Sequence, residues 1–104
     1  MYQLRAKYYI DFKQFPNAIA DLNKVIQNDS QDVEALLLRA ACYEEISNTK
    51  AAIRDYESAR EILVKTGDRA KSLEKIEQRL FDLKREAKKP ELTLVNPKPV
   101  NNLL

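Results

Sequence analysis

The 104-residue sequence contains no histidine, no tryptophan, one cysteine and one glycine. Without histidine, the chain has no imidazole base, no Ser-His or Cys-His nucleophile pair and no ordinary zinc or haem ligand set. A single cysteine excludes an internal disulfide, and a single glycine leaves little room for phosphate-binding loops or tight hairpins. These absences exclude most familiar hydrolytic and metal-dependent enzymes, so we expect no catalytic residues, no metal and no cofactor.

Long apolar stretches are also absent from the chain. No segment approaches the ~18 consecutive apolar residues of a membrane-spanning helix, and the first residues lack the apolar core of a signal peptide. We therefore expect an intracellular, cytoplasmic protein in a reducing compartment. Charged residues make up 33% of the chain and hydrophobic residues 44%, which indicates a soluble, helix-rich chain rather than a disordered or membrane protein.

The sequence repeats itself after a shift of 34 residues. Seven identities align without a gap: Leu4 with Leu38, Arg5 with Arg39, Ala6 with Ala40, Tyr9 with Tyr43, Ala18 with Ala52, Ile19 with Ile53 and Asp21 with Asp55. The identities follow a helical period, with alanine where two helices would approach closely and tyrosine where a gap would need filling. Each unit is therefore predicted to be two antiparallel helices joined by a short turn.

Five helices are predicted, over residues 2–13, 16–28, 32–46, 49–65 and 68–88. Pro16 is expected at the first position of the second helix, where its missing N–H has no cost. The polar residues 28–30 are expected to supply caps between the two units. Gly67 is expected at the C-terminal cap of the fourth helix, and Pro90 at the end of the fifth.

The pattern carried by both units resembles the tetratricopeptide repeat (TPR), whose period is 34 residues. The residues that carry it are Leu4, Arg5, Ala6, Tyr9, Phe15, Ala18, Ile19, Asp21 and Leu22, then Leu38, Arg39, Ala40, Tyr43, Ala52, Ile53, Asp55, Tyr56 and Ala59. The resemblance implies an all-α, TPR-like solenoid of helical hairpins. Its repeats would span about 1–32 and 33–66, followed by a capping helix at 67–89 and an extended or disordered tail at 90–104.

The first helix of each repeat is expected to pack backward, onto the helix that precedes the repeat. In the second repeat the backward-facing residues are apolar: Ala35, Cys42 and Ile46. The same positions in the first repeat hold Met1, Tyr8 and Phe12, which have nothing before them in this chain. This stripe indicates either the C-terminal end of a longer array or self-association of the chain through Tyr8 and Phe12.

The fifth helix is predicted to end the array. Ile76 and Leu80 occupy its backward-facing positions and would cover the second repeat. Glu74 and Glu77 stand where a further helix would need a small residue and an aromatic residue. The outer face of this helix is therefore expected to be polar, as in a capping helix.

Two features that suggest chemistry are better explained by structure. An arginine and an aspartate recur sixteen residues apart in each unit, which predicts an ion pair bracing each hairpin: Arg5 with Asp21 and Arg39 with Asp55. Cys42 is predicted to be an inert core thiol, because it lies on the backward-facing stripe and no histidine is present to activate it.

The resemblance implies a non-catalytic protein-interaction scaffold that binds a peptide or helix of a partner in its concave groove. The groove-lining residues would be Gln3, Lys7, Ile10, Asp11, Glu34, Leu37, Ala41, Glu44, Glu45, Lys71, Lys75 and Arg79. A ligand with apolar anchors and some basic character would complement the acidic centre of this set. The chaperone-binding members of the family hold a terminal carboxylate with lysine, asparagine and arginine, and none of the equivalent positions matches: Gln3, Lys7, Leu38, Asp68 and Ser72.

Two further interpretations concern the C-terminal third. Residues 69–89 carry the basic excess of the chain, which could bind nucleic acid, but interleaved acidic residues favour a solvated surface with internal ion pairs. The proline-containing tail is either a disordered linker or an extended segment lying in a groove of this molecule or a neighbour.

Overall fold

The computed structural model describes residues 2–67 and 71–95, and over those residues the chain forms helices and short turns with no strand. The described residues form five helices: α1 (Tyr2–Asp11), α2 (Phe15–Asn28), α3 (Val33–Glu45), α4 (Thr49–Thr66) and α5 (Lys71–Val95). Each helix packs mainly on its neighbours along the chain, and the contacts within each hairpin are more extensive than those between α2 and α3 or between α4 and α5. The all-helical class and the five helices agree with the expectation from sequence.

The turns inside the two hairpins have the same backbone geometry. Lys13 and Ser47, which lie 34 residues apart, both adopt left-handed φ angles, 60° and 64°. In each turn the N–H of the following residue donates to the carbonyl five residues earlier, at 2.8 Å in both cases. Because the side chains in these turns differ, the common geometry comes from the helices on either side.

The helix caps differ in part from those expected. Of the expected capping segment 28–30, Asp29 is the C-terminal cap of α2, where its N–H donates to the Val25 carbonyl, and its side chain accepts the N–H of Gln31 at 3.0 Å. The N-terminal cap of α3 lies outside that segment: it is Asp32, which accepts the N–H of Ala35 at 3.0 Å. Pro16 is the second residue of α2 and not the first, which changes little because the first turn of a helix lacks intrahelical N–H partners.

The ends of α4 and α5 give one confirmation and one correction. Gly67 caps α4 with a φ of 77°, the left-handed conformation that glycine adopts without steric cost. The prediction that Pro90 ends α5 was wrong, because the helix runs on to Val95. Proline removes one hydrogen bond from a helix without obliging it to stop, and good helix formers flank this one. The predicted start at residue 68 and the tail from residue 96 onward lie outside the described residues.

Two apolar clusters share α3 and form a continuous core. The first joins α1, α2 and α3, and its buried members are Ala6, Ala18, Leu22, Ala35 and Cys42. The second joins α3, α4 and α5, and its buried members are Leu36, Ala40, Ala52, Tyr56, Ala59, Leu63, Leu73, Ile76, Leu80 and Leu83. The repeated alanines are fully buried, as the close approach of paired helices requires.

The packing roles predicted for Cys42 and for α5 are confirmed. The Cys42 side chain is 1% exposed, and burial raises the pKa of its thiol to about 11, which keeps it protonated and unreactive near neutral pH. Ile76 and Leu80 are buried against the second hairpin, whereas Glu74 and Glu77 are exposed on the outer side of α5.

One face of α1 stays uncovered by the described residues. Tyr8 is 58% exposed and Phe12, just after the helix, is 73% exposed. The residues 34 positions later are Cys42, which is buried against the first hairpin, and Ile46, which is exposed, so the prediction that Ile46 packs backward was wrong. Met1 lies outside the described residues. In the part of the chain that the structure describes, no helix has the length and apolarity needed to cross a membrane.

Candidate functional site

Ion pairs brace both hairpins in the same way, as predicted. Arg5 Nε and Asp21 Oδ2 lie 2.8 Å apart, and the matching atoms of Arg39 and Asp55 are also separated by 2.8 Å. A second 2.8 Å hydrogen bond makes each pair bidentate. Hydrogen bonds from Arg5 lower the pKa of Asp21 by more than its burial raises it. Each pair joins the two helices of its hairpin. Side chains of α3 also contact α1 and α5, and these three helices form one face of the chain.

The first contact across that face joins α1 to α3. Gln3 Nε2 donates to Glu34 Oε1 at 3.0 Å, and Lys7 Nζ lies 3.0 Å from Glu34 Oε2. All three residues belong to the predicted partner-binding set. The structure therefore brings them together, but it also shows that both oxygens of Glu34 already have partners.

The second contact joins α3, α4 and α5 through Glu44. Arg79 makes a bidentate ion pair with this carboxylate through Nε and Nη2, and the buried Tyr56 hydroxyl donates to it at 2.5 Å. Burial alone would raise the pKa of Glu44, but the hydrogen bonds from Arg79 and Tyr56 outweigh it and hold the pKa below its usual range. Glu44 is thus an ionised residue that ties three helices together.

A cavity of about 280 Å³ opens beside this network, between α3, α4 and α5. The residues that line it are Leu37, Tyr56, Ser72, Lys75, Ile76 and Arg79. The walls are apolar and the two basic groups lie one helical turn apart on α5. Three of the lining residues, Leu37, Lys75 and Arg79, belong to the predicted set.

The remaining predicted residues do not gather at this cavity. Ile10 is half-buried and packs against the first core cluster. Asp11, Ala41 and Glu45 are exposed on α1 and α3, and none of them lines the cavity. Lys71 begins α5, but its side chain lies outside the described residues.

Three residues that line the cavity were absent from the predicted set. Tyr56 and Ile76 carry apolar repeat signatures, so the sequence assigns them to packing, yet each also exposes an edge to the cavity. Ser72 is a small exposed residue on α5. The sequence indicated its position in one way: Ser72 lies four residues before Ile76 and therefore points to the same side of α5.

The cavity is a candidate site because it combines apolar walls with two basic side chains. No group of three or more acidic, cysteine or histidine side chains suited to a metal occurs in residues that the structure describes. Comparison with family models, with curated proteins and with solved structures found no match for this chain.

Proposed function

We propose that this protein is a non-catalytic interaction scaffold that binds a peptide or helix of a partner protein on the face formed by α1, α3 and α5. The proposal includes a TPR-like hairpin array, with repeats at about 1–32 and 33–66 and a capping helix after them. It is supported by the 34-residue recurrence of the turn geometry, the bidentate ion pair and the buried alanines.

The observation that carries the proposal is the cavity between α3, α4 and α5. Its apolar walls at Leu37, Tyr56 and Ile76 offer a place for an apolar anchor, and the charged groups at its rim can orient a peptide. A volume of about 280 Å³ lies at or below the low end of small-molecule sites, which run from about 300 to 1,000 Å³. The cavity is therefore better matched to one or two side chains of a protein segment.

The proposal is tested by selecting peptides that bind the chain and then blocking the cavity with a large side chain introduced at an exposed position. A randomised 12-residue peptide library, displayed on phage, is panned against the full 104-residue chain. Ser72→Trp places a large ring at the cavity without deleting a core contact, and Ser58→Trp is the matched control at an exposed serine on α4. We expect selected peptides to bind the wild type and Ser58→Trp equally and to lose at least tenfold in affinity for Ser72→Trp.

Two results would overturn the scaffold function at this cavity. One is the absence of any enriched peptide after repeated rounds of selection. The other is a set of selected peptides that bind Ser72→Trp as tightly as the wild type. Circular dichroism of both tryptophan variants establishes that neither change alters the helix content.

A second candidate function, self-association, rests on the uncovered face of α1. Tyr8 and Phe12 are exposed there together with Leu4, and exposed apolar patches of this kind are typical of interfaces. A second copy of the chain could cover this stripe in a homodimer. Sedimentation velocity of the wild type and of Tyr8→Glu/Phe12→Glu decides the matter, because two monomeric profiles would eliminate this function.

A further inference from the structure

The charges on the face formed by α1, α3 and α5 differ from those that the sequence suggested. The carboxylate of Glu34 is held by Lys7 and Gln3, and that of Glu44 by Arg79 and Tyr56. Two of the three acidic groups expected to attract a basic ligand are therefore already compensated, and the third, Glu45, does not line the cavity. The charged side chains that line the cavity, Lys75 and Arg79, are both basic.

Lys75 is the main source of that charge. It is exposed, lines the cavity, and has no carboxylate within 4.0 Å of its ammonium group among the described residues. Arg79 stands four residues later on the same side of α5, and like charges at this spacing destabilise a helix slightly. An anion bound between the two groups would relieve that repulsion.

Arg79 lines the cavity and retains N–H groups that Glu44 does not engage. Its guanidinium carries five N–H groups, and Glu44 accepts from Nε and Nη2. Nη1 lies 4.0 Å from Asp82, a weak ion pair beyond hydrogen-bond distance. Glu44 thus holds the guanidinium in one orientation, and Nη1 makes no hydrogen bond to a carboxylate of the described residues.

We propose that the cavity selects a partner segment in which an aspartate or glutamate lies beside an aliphatic or aromatic side chain. The apolar side chain enters between Leu37, Tyr56 and Ile76, and the carboxylate binds Lys75 Nζ and Arg79 Nη1 at the rim. This specificity rests on the proposed scaffold function and replaces the partly basic ligand that the sequence favoured. Charge complementarity determines which apolar segments bind.

The displayed peptides test this specificity separately from the scaffold function. Because they are fused to the phage coat through their C-terminus, they have no free terminal carboxylate, and side-chain carboxylates alone are selected. We expect enrichment of Asp or Glu within two residues of Leu, Ile or Phe. In fluorescence anisotropy with a selected peptide, Lys75→Glu should weaken binding about tenfold or more, and replacing the peptide's acidic residue with Gln should have a similar effect.

Lys50→Glu is the matched control, because it makes the same charge change at an exposed lysine of α4 that does not line the cavity. It should leave the affinity within about twofold of the wild type. Panning against Lys75→Glu should in turn enrich Lys or Arg beside the apolar residue.

The outcomes separate the two proposals. Peptides that depend on the cavity but carry neutral or basic residues would overturn the acidic specificity and leave the scaffold function standing. The absence of any selected peptide would overturn both. Binding of a single-stranded oligouridylate that Lys75→Glu abolishes, with no peptide selected, would identify the basic rim as a nucleic-acid site and would also overturn both.

Discussion

The two hairpins have the same internal contacts but differ in how well they are covered. Each contains the same left-handed turn residue and the same bidentate Arg–Asp pair. The Arg5 side chain, however, is 57% exposed, whereas that of Arg39 is 20% exposed and also donates to Asn23 at 2.7 Å. Among the described residues, helices cover α3 on both sides, whereas α1 is covered by a helix on one side. The repeated residues therefore give both hairpins the same internal geometry, whereas the burial of each residue depends on which other helices pack against its hairpin.

The two hairpins should differ most in the unfolding free energy lost when glutamate replaces the residue at position 8 or at position 42. We expect Cys42→Glu to cost about 3 to 5 kcal/mol of unfolding free energy, because it places an unpaired charge in the core. Tyr8→Glu, at the equivalent exposed position, should change the free energy by about 0.5 kcal/mol or less. Urea unfolding followed by circular dichroism measures both. Similar losses at the two positions would contradict the described burial of α3 against α2.

The second largest difference is expected in how much the two Arg–Asp ion pairs contribute to the unfolding free energy. Asp55→Ala leaves the half-buried Arg39 without its carboxylate, and we expect a loss of about 2 kcal/mol in unfolding free energy. Asp21→Ala should cost clearly less, because the exposed Arg5 regains water contacts. Asp55→Asn, which keeps one acceptor oxygen, serves as the milder control in the same urea experiment. A larger loss for Asp21→Ala would reverse the comparison of the two hairpins.

Acid should weaken both hairpins through Asp21 and Glu44. Their pKa values are lowered in the folded chain, so the unfolded chain binds more protons as the pH falls below about 5. Stability from these groups is therefore present above about pH 5 and is lost as the pH falls through the folded pKa values. Urea midpoints measured between pH 7 and pH 2 should fall less steeply in Asp21→Asn and in Glu44→Gln. An unchanged slope in both variants would contradict the assignment of these carboxylates.

The smallest expected change in unfolding free energy comes from placing glycine at the left-handed turn residues, and it should be equal in the two hairpins. Lys13→Gly and Ser47→Gly remove the steric cost of a left-handed residue, but they also make the unfolded chain more flexible. We expect each to raise the unfolding free energy by about 0.5 kcal/mol. The matched control is Arg54→Gly, at an exposed basic residue more than one turn inside α4, which should lower it by about 1 kcal/mol. Opposite signs for the two turn variants would show that the turns are not equivalent.

Much of the fold was predictable because it follows from short-range rules. The spacing of alanines and larger apolar residues identified four helices to within two residues at each end, and both Arg–Asp pairs followed from their recurrence. The errors occurred where two local signals competed. At Pro90 the helix continues, because the helix-forming residues on either side outweigh the unfavourable effect of one proline. At the start of α3 several polar residues were possible caps, and Asp32 is the one that accepts an N–H of the first turn.

Less of the candidate site could be predicted. The predicted set includes Gln3, Lys7 and Glu34, which contact one another in the structure, and Leu37, Lys75 and Arg79, which line one cavity. It did not indicate which charges compensate each other, because Glu44 and Arg79 are 35 residues apart and follow no repeat pattern. Ser72 was missed for a similar reason, since its role depends on which side of α5 meets α3 and α4.

The composition and the 34-residue recurrence determined, without a structure, that this is a helical chain with no histidine and a single cysteine. They also determined where its hairpins turn and how each one is braced, because these features depend on residues close in sequence or in the same hairpin. Only the tertiary structure decided that the cavity between α3, α4 and α5 is lined by basic groups, because Arg79 compensates Glu44 from 35 residues away in the sequence and Lys75 has no carboxylate partner among the described residues.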